Sequence, residues 1–591
     1  MAYFKRDRFA GIAPGVSPRL LADQFGQIAE NIDFESGRLV STKTDTDEFT
    51  LANDTRRSIY KYEYGSSSSV WLQWNEEVDV VPGPIPGDTT DRLYFTGDDY
   101  PRIGWSTTIV SGSSYPNNSY RLGVPAPSSA PTVTLNSGAT DETLTPNDVS
   151  YVYTYVTADG REGPPSPPSA VLEVPGGRSA SLELTNEMFA SGHNLGTGSY
   201  KRIYRSNSGS SATAFQYLKA IPIATETTSD DDMADLFALM SLGGVGSYVS
   251  GAATDPALLG EVLPSDSWIG PPDDDTSLYP DGPLQGLIPL AQGTMAGFTG
   301  KRFCLSEPFL PHAWPIQYRI TTEEDIVAIA STSNGVAALT DGQPYFITGT
   351  EPSAMTAVRI DLAQACVNVH SVVDMGSYVL YAGPDGLCAI ESSQGSVVTD
   401  GMISVKQWNA DFSPTTYRAF RHEGTYVAFH ASGGWVYDPR GGEATLSTLD
   451  ISTDVRGGYR NPKDGQLYII VGNKIKKYQG GSTNNTLKFK SKKFVTPAPV
   501  SMGWVSVNAD VYPVTVKVYG DGTLLAHYTL TKSGSTYTQA TTVPSGISNG
   551  TLREPIMRMP AAVAQEWEIQ VEGTDINEFC LAQSMEEIRT S

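Results

Sequence analysis

The chain has 591 residues, 57 glycines, 39 prolines, 30 tyrosines and a formal net charge of −24. At ~100 to 200 residues per domain it is too long for one core, and its glycine, proline and tyrosine content with little helical periodicity predicts a mainly β protein of three or four domains. The acidic balance argues against non-specific grip on duplex DNA through its phosphates, although a surface past which DNA must slide without sticking would have the same character.

In chain order, residues 1–125 read as an N-terminal arm and first propeller strands. Within the arm, 20–40 predicts one short helical turn followed by a strand after Ser36-Gly37. Strand pairs follow at 59–64 with 70–74, and at 92–97 with 101–105. The prolines Pro125, Pro127 and Pro131 mark an extended linker. Residues 126–230 predict an inserted sandwich, 231–287 an irregular acidic connector, 288–490 the main propeller blades, and 491–591 a C-terminal β-sandwich.

The blade assignment rests on a repeat. Hairpin signals at Gly335, Gly376, Gly424 and Gly465 fall 41, 48 and 41 residues apart, and a ~40 to 50-residue period with several short strands per unit is the pattern of propeller blades. With 288–320 and the N-terminal strands, about six blades are expected. Strands from both ends of the chain commonly close such a ring and remove its exposed edges.

Chemistry is sparse. Cys304, Cys366, Cys388 and Cys580 stand apart with no CxxC or His/Cys ligand spacing, which predicts buried free thiols in a reducing compartment rather than zinc. Residues 230–232 and 273–275 are aspartate triplets without the glycine and terminal glutamate of an EF-hand, and read as solvated loops; 233–242 carries one short apolar helical pattern. The lysines between Leu487 and Phe494 read as the solvated face of one strand. No phosphate loop or nucleophile elbow is present, so no catalytic, cofactor or metal residue is assigned. With no apolar N-terminal run and no ~18-residue apolar stretch, a soluble chain not exported by a signal peptide is expected.

One segment gathers a carboxylate, a histidine and a tryptophan. Ser306-Glu307-Pro308-Phe309-Leu310-Pro311-His312-Ala313-Trp314-Pro315 follows a short strand, and its prolines predict a rigid extended corner. A glycosidase could use Glu307 as one of two facing carboxylates, but no spacing identifies a partner. As a packing joint, Glu307 would accept backbone hydrogen bonds and Trp314 would pack beneath a blade.

Two resemblances add to this reading. The strand Tyr151-Val152-Tyr153-Thr154-Tyr155-Val156, the Asp159-Gly160 turn, the Pro164-Pro165-Ser166-Pro167-Pro168 bend and the later Tyr200 to Arg205 strand resemble a fibronectin type III or immunoglobulin-like domain. The second is carried by Leu284-Gln285-Gly286-Leu287, Ala296-Gly297-Phe298, Ser306-Glu307-Pro308 with Pro311 to Pro315, Asp341-Gly342-Gln343-Pro344-Tyr345, Gln364-Ala365-Cys366-Val367, Tyr381 to Leu387 and Trp408 to Pro414. These residues, with stretches at 31–39, 151–168 and 566–584, resemble the tail nozzle, or tail tubular, proteins of short-tailed bacteriophages.

That resemblance implies a β-propeller with inserted β domains in a hexameric ring at the distal tail of a virion assembled in the host cytoplasm. Its partners would be other copies of the chain, an adaptor or head-to-tail connector, tail fibres or spikes, and double-stranded DNA passing through the lumen during ejection. It implies a structural protein with no enzymatic residues. The other class compatible with the residues is a carbohydrate-active or glycan-binding β-propeller protein.

Overall fold

A computed structural model of the chain describes residues 3–112, 115–143, 146–176, 178, 180–184, 192–208, 213–223, 259–262, 268–431, 433–440, 445–451, 455–545 and 549–590. It is mainly β, built from many short antiparallel strands. The apolar pattern at 233–242 and the aspartates at 230–232 lie outside the described residues.

Among the described residues, seven sheets contribute to the wall of one cavity and form the main body. Three follow the chain as four-stranded meanders: Gln285–Pro289 to Ile320–Thr321, Ile326–Thr332 to Thr356–Arg359, and Val373–Asp374 to Gln394–Val397. A fourth runs from Arg418–His422 to Thr445–Leu449. In the fifth, Val455–Arg460, Leu467–Val471 and Lys474–Lys477 take Thr46–Thr50 as their outer strand, so an early and a late segment of the chain meet in one sheet. The sixth is the hairpin Ser58–Tyr64 with Ser68–Trp74, and the seventh runs from Asp79–Pro82 to Tyr120–Arg121.

Several middle strands are buried along most of their length because each has a sheet on both sides. In Leu467–Val471, Leu467, Ile469 and Val471 pack on Val427 and Phe429 of the preceding sheet, while Tyr468 and Ile470 pack on Ile59 and Trp71 of the following one. Comparable cores join the hairpin to the sheet of 79–121, that sheet to 285–321, then 285–321 to 326–359, 326–359 to 373–397, and 373–397 to 418–449.

Of the four repeat glycines, Gly376, Gly424 and Gly465 occupy turns at φ 103, 84 and 72 degrees, where a side chain is strained. Gly335 is required for a different reason. It opens the strand Gly335–Thr340, and a Cβ there would lie 2.4 Å from the Ile347 carbonyl oxygen.

The region expected as an inserted sandwich contains the pairs Thr132–Leu135 with Ala180–Glu183 and Asn147–Val149 with Leu172–Val174. Beside them lies a sheet of Tyr151–Val156, Tyr200–Ser208, Thr213–Pro222 and Leu259–Val262 around their own core. Leu259–Val262 therefore belongs to this sheet, although the sequence places it in an irregular connector.

The C-terminal unit is not made from C-terminal residues alone. Tyr3–Arg6 pairs along Asp575–Ala582, and Gly26–Glu30 lies between Leu487–Ser491 and Thr445–Leu449, welding this unit to the sheet of 418–449. The helical turn expected within 20–40 is replaced there by strand.

Candidate functional site

The corner at 306–315 folds into successive turns rather than an extended segment. The Glu307 N–H donates to the Ala313 carbonyl at 2.9 Å, the Leu310 N–H to Glu307 at 3.2 Å, and the Ala313 N–H to Leu310 at 3.0 Å. Phe309 makes the reversal possible by taking a φ of 61 degrees, with its ring over Gly293. The Glu307 carboxylate accepts from the Tyr318 hydroxyl at 3.2 Å, not from backbone. Trp314 is fully buried, donates from Nε1 to the Pro311 carbonyl at 2.7 Å, and packs with Tyr94, Leu122, Leu287 and Cys304.

His312 faces the inserted region, and its Nε2 donates to the Glu162 carbonyl oxygen at 3.0 Å. Burial, then the positive charge of Arg161, push this histidine down to about 4, outweighing the carbonyl bond. Around it is a polar weld. Arg161, 4% exposed, reaches the Leu122 carbonyl at 2.7 Å and the Arg121 carbonyl at 3.1 Å, and grips Asp159 with two hydrogen bonds of 2.7 and 3.1 Å. Burial raises Asp159, but the Arg161 contacts win and hold it at about 2. His193 bonds the Gly123 carbonyl at 3.1 Å and is also lowered to about 4, chiefly by burial. The corner therefore joins the region of 126–230 to the sheets of 79–121 and 285–321.

The central cavity occupies about 720 Å³. All seven sheets or their flanking segments contribute to its wall, among them Arg57, Asp79, Gln285, Ala328, Asp374, Arg418 and Gly457. Close approach of neighbouring sheets demands glycine at Gly457, where a Cβ would fall 1.9 Å from the Arg57 carbonyl oxygen.

Polar groups meet in this cavity from distant parts of the chain. Arg418 grips Glu77 at 2.6 and 3.2 Å and lies 3.2 Å from Nδ1 of His370, which burial and Arg418 lower from its ordinary value. Asp79 is open to the cavity yet enclosed by protein. That enclosure, then the charge of Glu77, push it up to about 6 against a hydrogen bond from the Gly286 N–H. Asp374 accepts from the Gly376 N–H at 2.6 Å. None of these residues stands out in the sequence. Only the Glu77, Asp79 alternation, which puts both carboxylates on one face of an extended segment, was available as a signal.

The lysine stretch is neutralised by acids. Lys488 pairs with Glu30 at 2.9 Å, Lys490 with Glu568 at 2.7 Å, Lys492 with Asp23 at 3.1 Å and Lys493 with Glu566 at 3.2 Å. It is no free phosphate-binding strip. In the second aspartate triplet, Asp273 and Asp275 accept backbone N–H groups of their own turn, and Asp274 pairs with Arg121 at 2.6 Å. All four cysteines are buried free thiols. Among the described residues no group of three or more His, Cys, Asp or Glu is placed to hold a metal, and no helix is long and apolar enough to cross a membrane.

No family model matches the chain, and no curated protein matches it. Among solved structures it is similar to glutaminyl cyclase of Myxococcus xanthus, at 15% identity and a TM-score of 0.19, over 33% of this chain and 88% of that one. It is also similar to YCF48 from Cyanidioschyzon merolae, at 10% identity and a TM-score of 0.23, over 78% of this chain and 97% of that one. At these scores neither likeness bears on the activity of this chain.

Proposed function

We propose that this chain is a structural protein of a bacteriophage tail, forming a hexameric ring at its distal end that serves as conduit and gate for genome ejection. The observation that carries this reading is the resemblance of 284–440 and the flanking stretches to tail nozzle proteins. On this reading the seven sheets are blades of a closed propeller, 126–230 is a fibronectin III or immunoglobulin-like insertion, and the composite terminal unit is a sandwich.

Physical features of the chain support a building-block role. Arg161, His193 and His312 fix the insertion to the body, giving a stiff lobe on which an adaptor, fibre or spike can bear. The early strand Tyr3–Arg6 pairs with the late strand Asp575–Ala582. The cavity within one chain, about 720 Å³, is too small for a duplex whose major groove alone is ~12 Å wide, so a DNA conduit must form between chains. Six copies would multiply a charge of −24 sixfold and offer passing phosphates few unpaired cations.

Native mass spectrometry tests the assembly. The reading expects six chains per particle, and a chain that remains monomeric at every concentration, with glycan-cleaving activity, would overturn it. The carbohydrate-active reading built on Glu307 is the less supported alternative, because that carboxylate is engaged by Tyr318 at the joint.

A further inference from the structure

We propose that the central cavity of a single chain is a binding site for an uncharged sugar unit. This deepens the glycan-binding reading by giving it a place, and it does not depend on ring formation. At about 720 Å³ the cavity falls within the ~300 to 1,000 Å³ of small-ligand sites. Its walls are strands of seven sheets packed through shared cores, so the space is formed before any ligand arrives.

The lining chemistry selects the ligand class. Glu77, Asp79 and Asp374 bring acceptors, Arg57 brings donors, and Gln285 brings both. A phosphate would meet three carboxylates, and Glu77 already occupies Arg418. A metal ion would meet two guanidinium groups in a space where no cluster of three ligands exists among the described residues. Neither sign of charge gains. A ring of hydroxyls that both donate and accept suits this wall without bringing a charge into an enclosed space. Phe298 and Phe420 supply aromatic carbon beside the polar groups.

Asp79 is the group placed to hold such a ligand. It lines the cavity as an exposed residue, and beside the hydrogen bond from the Gly286 N–H it has no ion pair among the described residues. Protonated, the carboxyl can donate as well as accept, so it matches a hydroxyl in either state.

Saturation-transfer NMR with methyl glucopyranoside and methyl galactopyranoside tests the assignment, with glucuronate and inorganic phosphate as charged comparators. At least one neutral glycoside should bind, the charged probes should bind at least tenfold more weakly, and Asp79→Ala should weaken the glycoside at least tenfold. Gln285→Ala, which also removes a cavity hydrogen-bonding group, should weaken it severalfold and serves if Asp79→Ala fails to fold. The exposed Asp54→Ala should change nothing. Absence of glycoside binding, equal or tighter binding of phosphate or glucuronate, or full affinity in both cavity variants would overturn the proposal. Native mass spectra of the same samples report ring formation separately, so failure here is distinguishable from failure of the tail-protein reading.

Discussion

Replacing His312 by glutamine should remove the share of acid sensitivity that this histidine gives the joint between insertion and body. An unfolded histidine titrates near ~6.5, whereas burial and Arg161 lower His312 to about 4. Between these values the unfolded chain takes up a proton that the folded joint refuses. The stability is therefore fully present above ~6.5, drains away as the pH falls towards 4, and changes little below that. For these two values the loss reaches about 2 kcal/mol at pH 5 and about 3 kcal/mol at pH 4. His312 is 5% exposed, so solvent screens little of it.

Glutamine keeps an N–H able to donate to the Glu162 carbonyl but does not titrate. The assay is hydrogen exchange over residues 157–166 and 306–315, corrected for intrinsic rates, at pH 7 and pH 5. The parent should lose about 2 kcal/mol more local protection than His312→Gln across this interval. His193 has a similarly lowered value and is present in both proteins, so it cancels in the comparison. Equal losses in parent and variant would refute the placement of a neutral, buried His312 at the joint.

Glu568, 3% exposed, receives Lys490 at 2.7 Å and Gln27 at 3.0 Å, so Glu568→Gln should destabilise the terminal unit by roughly 3 kcal/mol, read as a lower melting temperature. A melting temperature unchanged by the substitution would count against the pair. Gly457→Ala drives a methyl group to 1.9 Å from the Arg57 carbonyl oxygen and should cost about 3 kcal/mol or more. Gly138→Ala, with nothing within 4 Å, should be near neutral. Chemical denaturation of the two variants checks the contrast, and equal stabilities would contradict the close approach of the cavity strands.

The mainly β character and the repeated hairpins were legible because their physics is local. Turn glycines and apolar strands recur along the chain, and Leu467–Val471 announces burial on both faces by its composition. The hairpin Ser58–Tyr64 with Ser68–Trp74 and the strands of 92–105 were visible, and these N-terminal segments supply two of the seven sheets that line the cavity. The helix Val405–Asp411 was not singled out, although Ser404 and Gln407 form a capping box at its start. Gly26–Glu30 was expected near a helical turn because its strand state comes from pairing with Leu487–Ser491, more than four hundred residues away.

The candidate site was less legible for the same reason. Glu307, His312 and Trp314 are adjacent in sequence and drew attention together, but each turns to a different partner: Tyr318, Glu162 and the Pro311 carbonyl. The cavity groups Glu77, His370 and Arg418 are far apart in sequence and meet only when three sheets assemble. The lysines of 488–493 looked solvated because their acids, Asp23, Glu30, Glu566 and Glu568, come from both ends of the chain.

Negative-stain images of the purified full chain test the ring most directly. The account predicts six-fold particles with a central hole wide enough for duplex DNA. Single chains without a ring at any concentration, or closed particles lacking a hole, would contradict it.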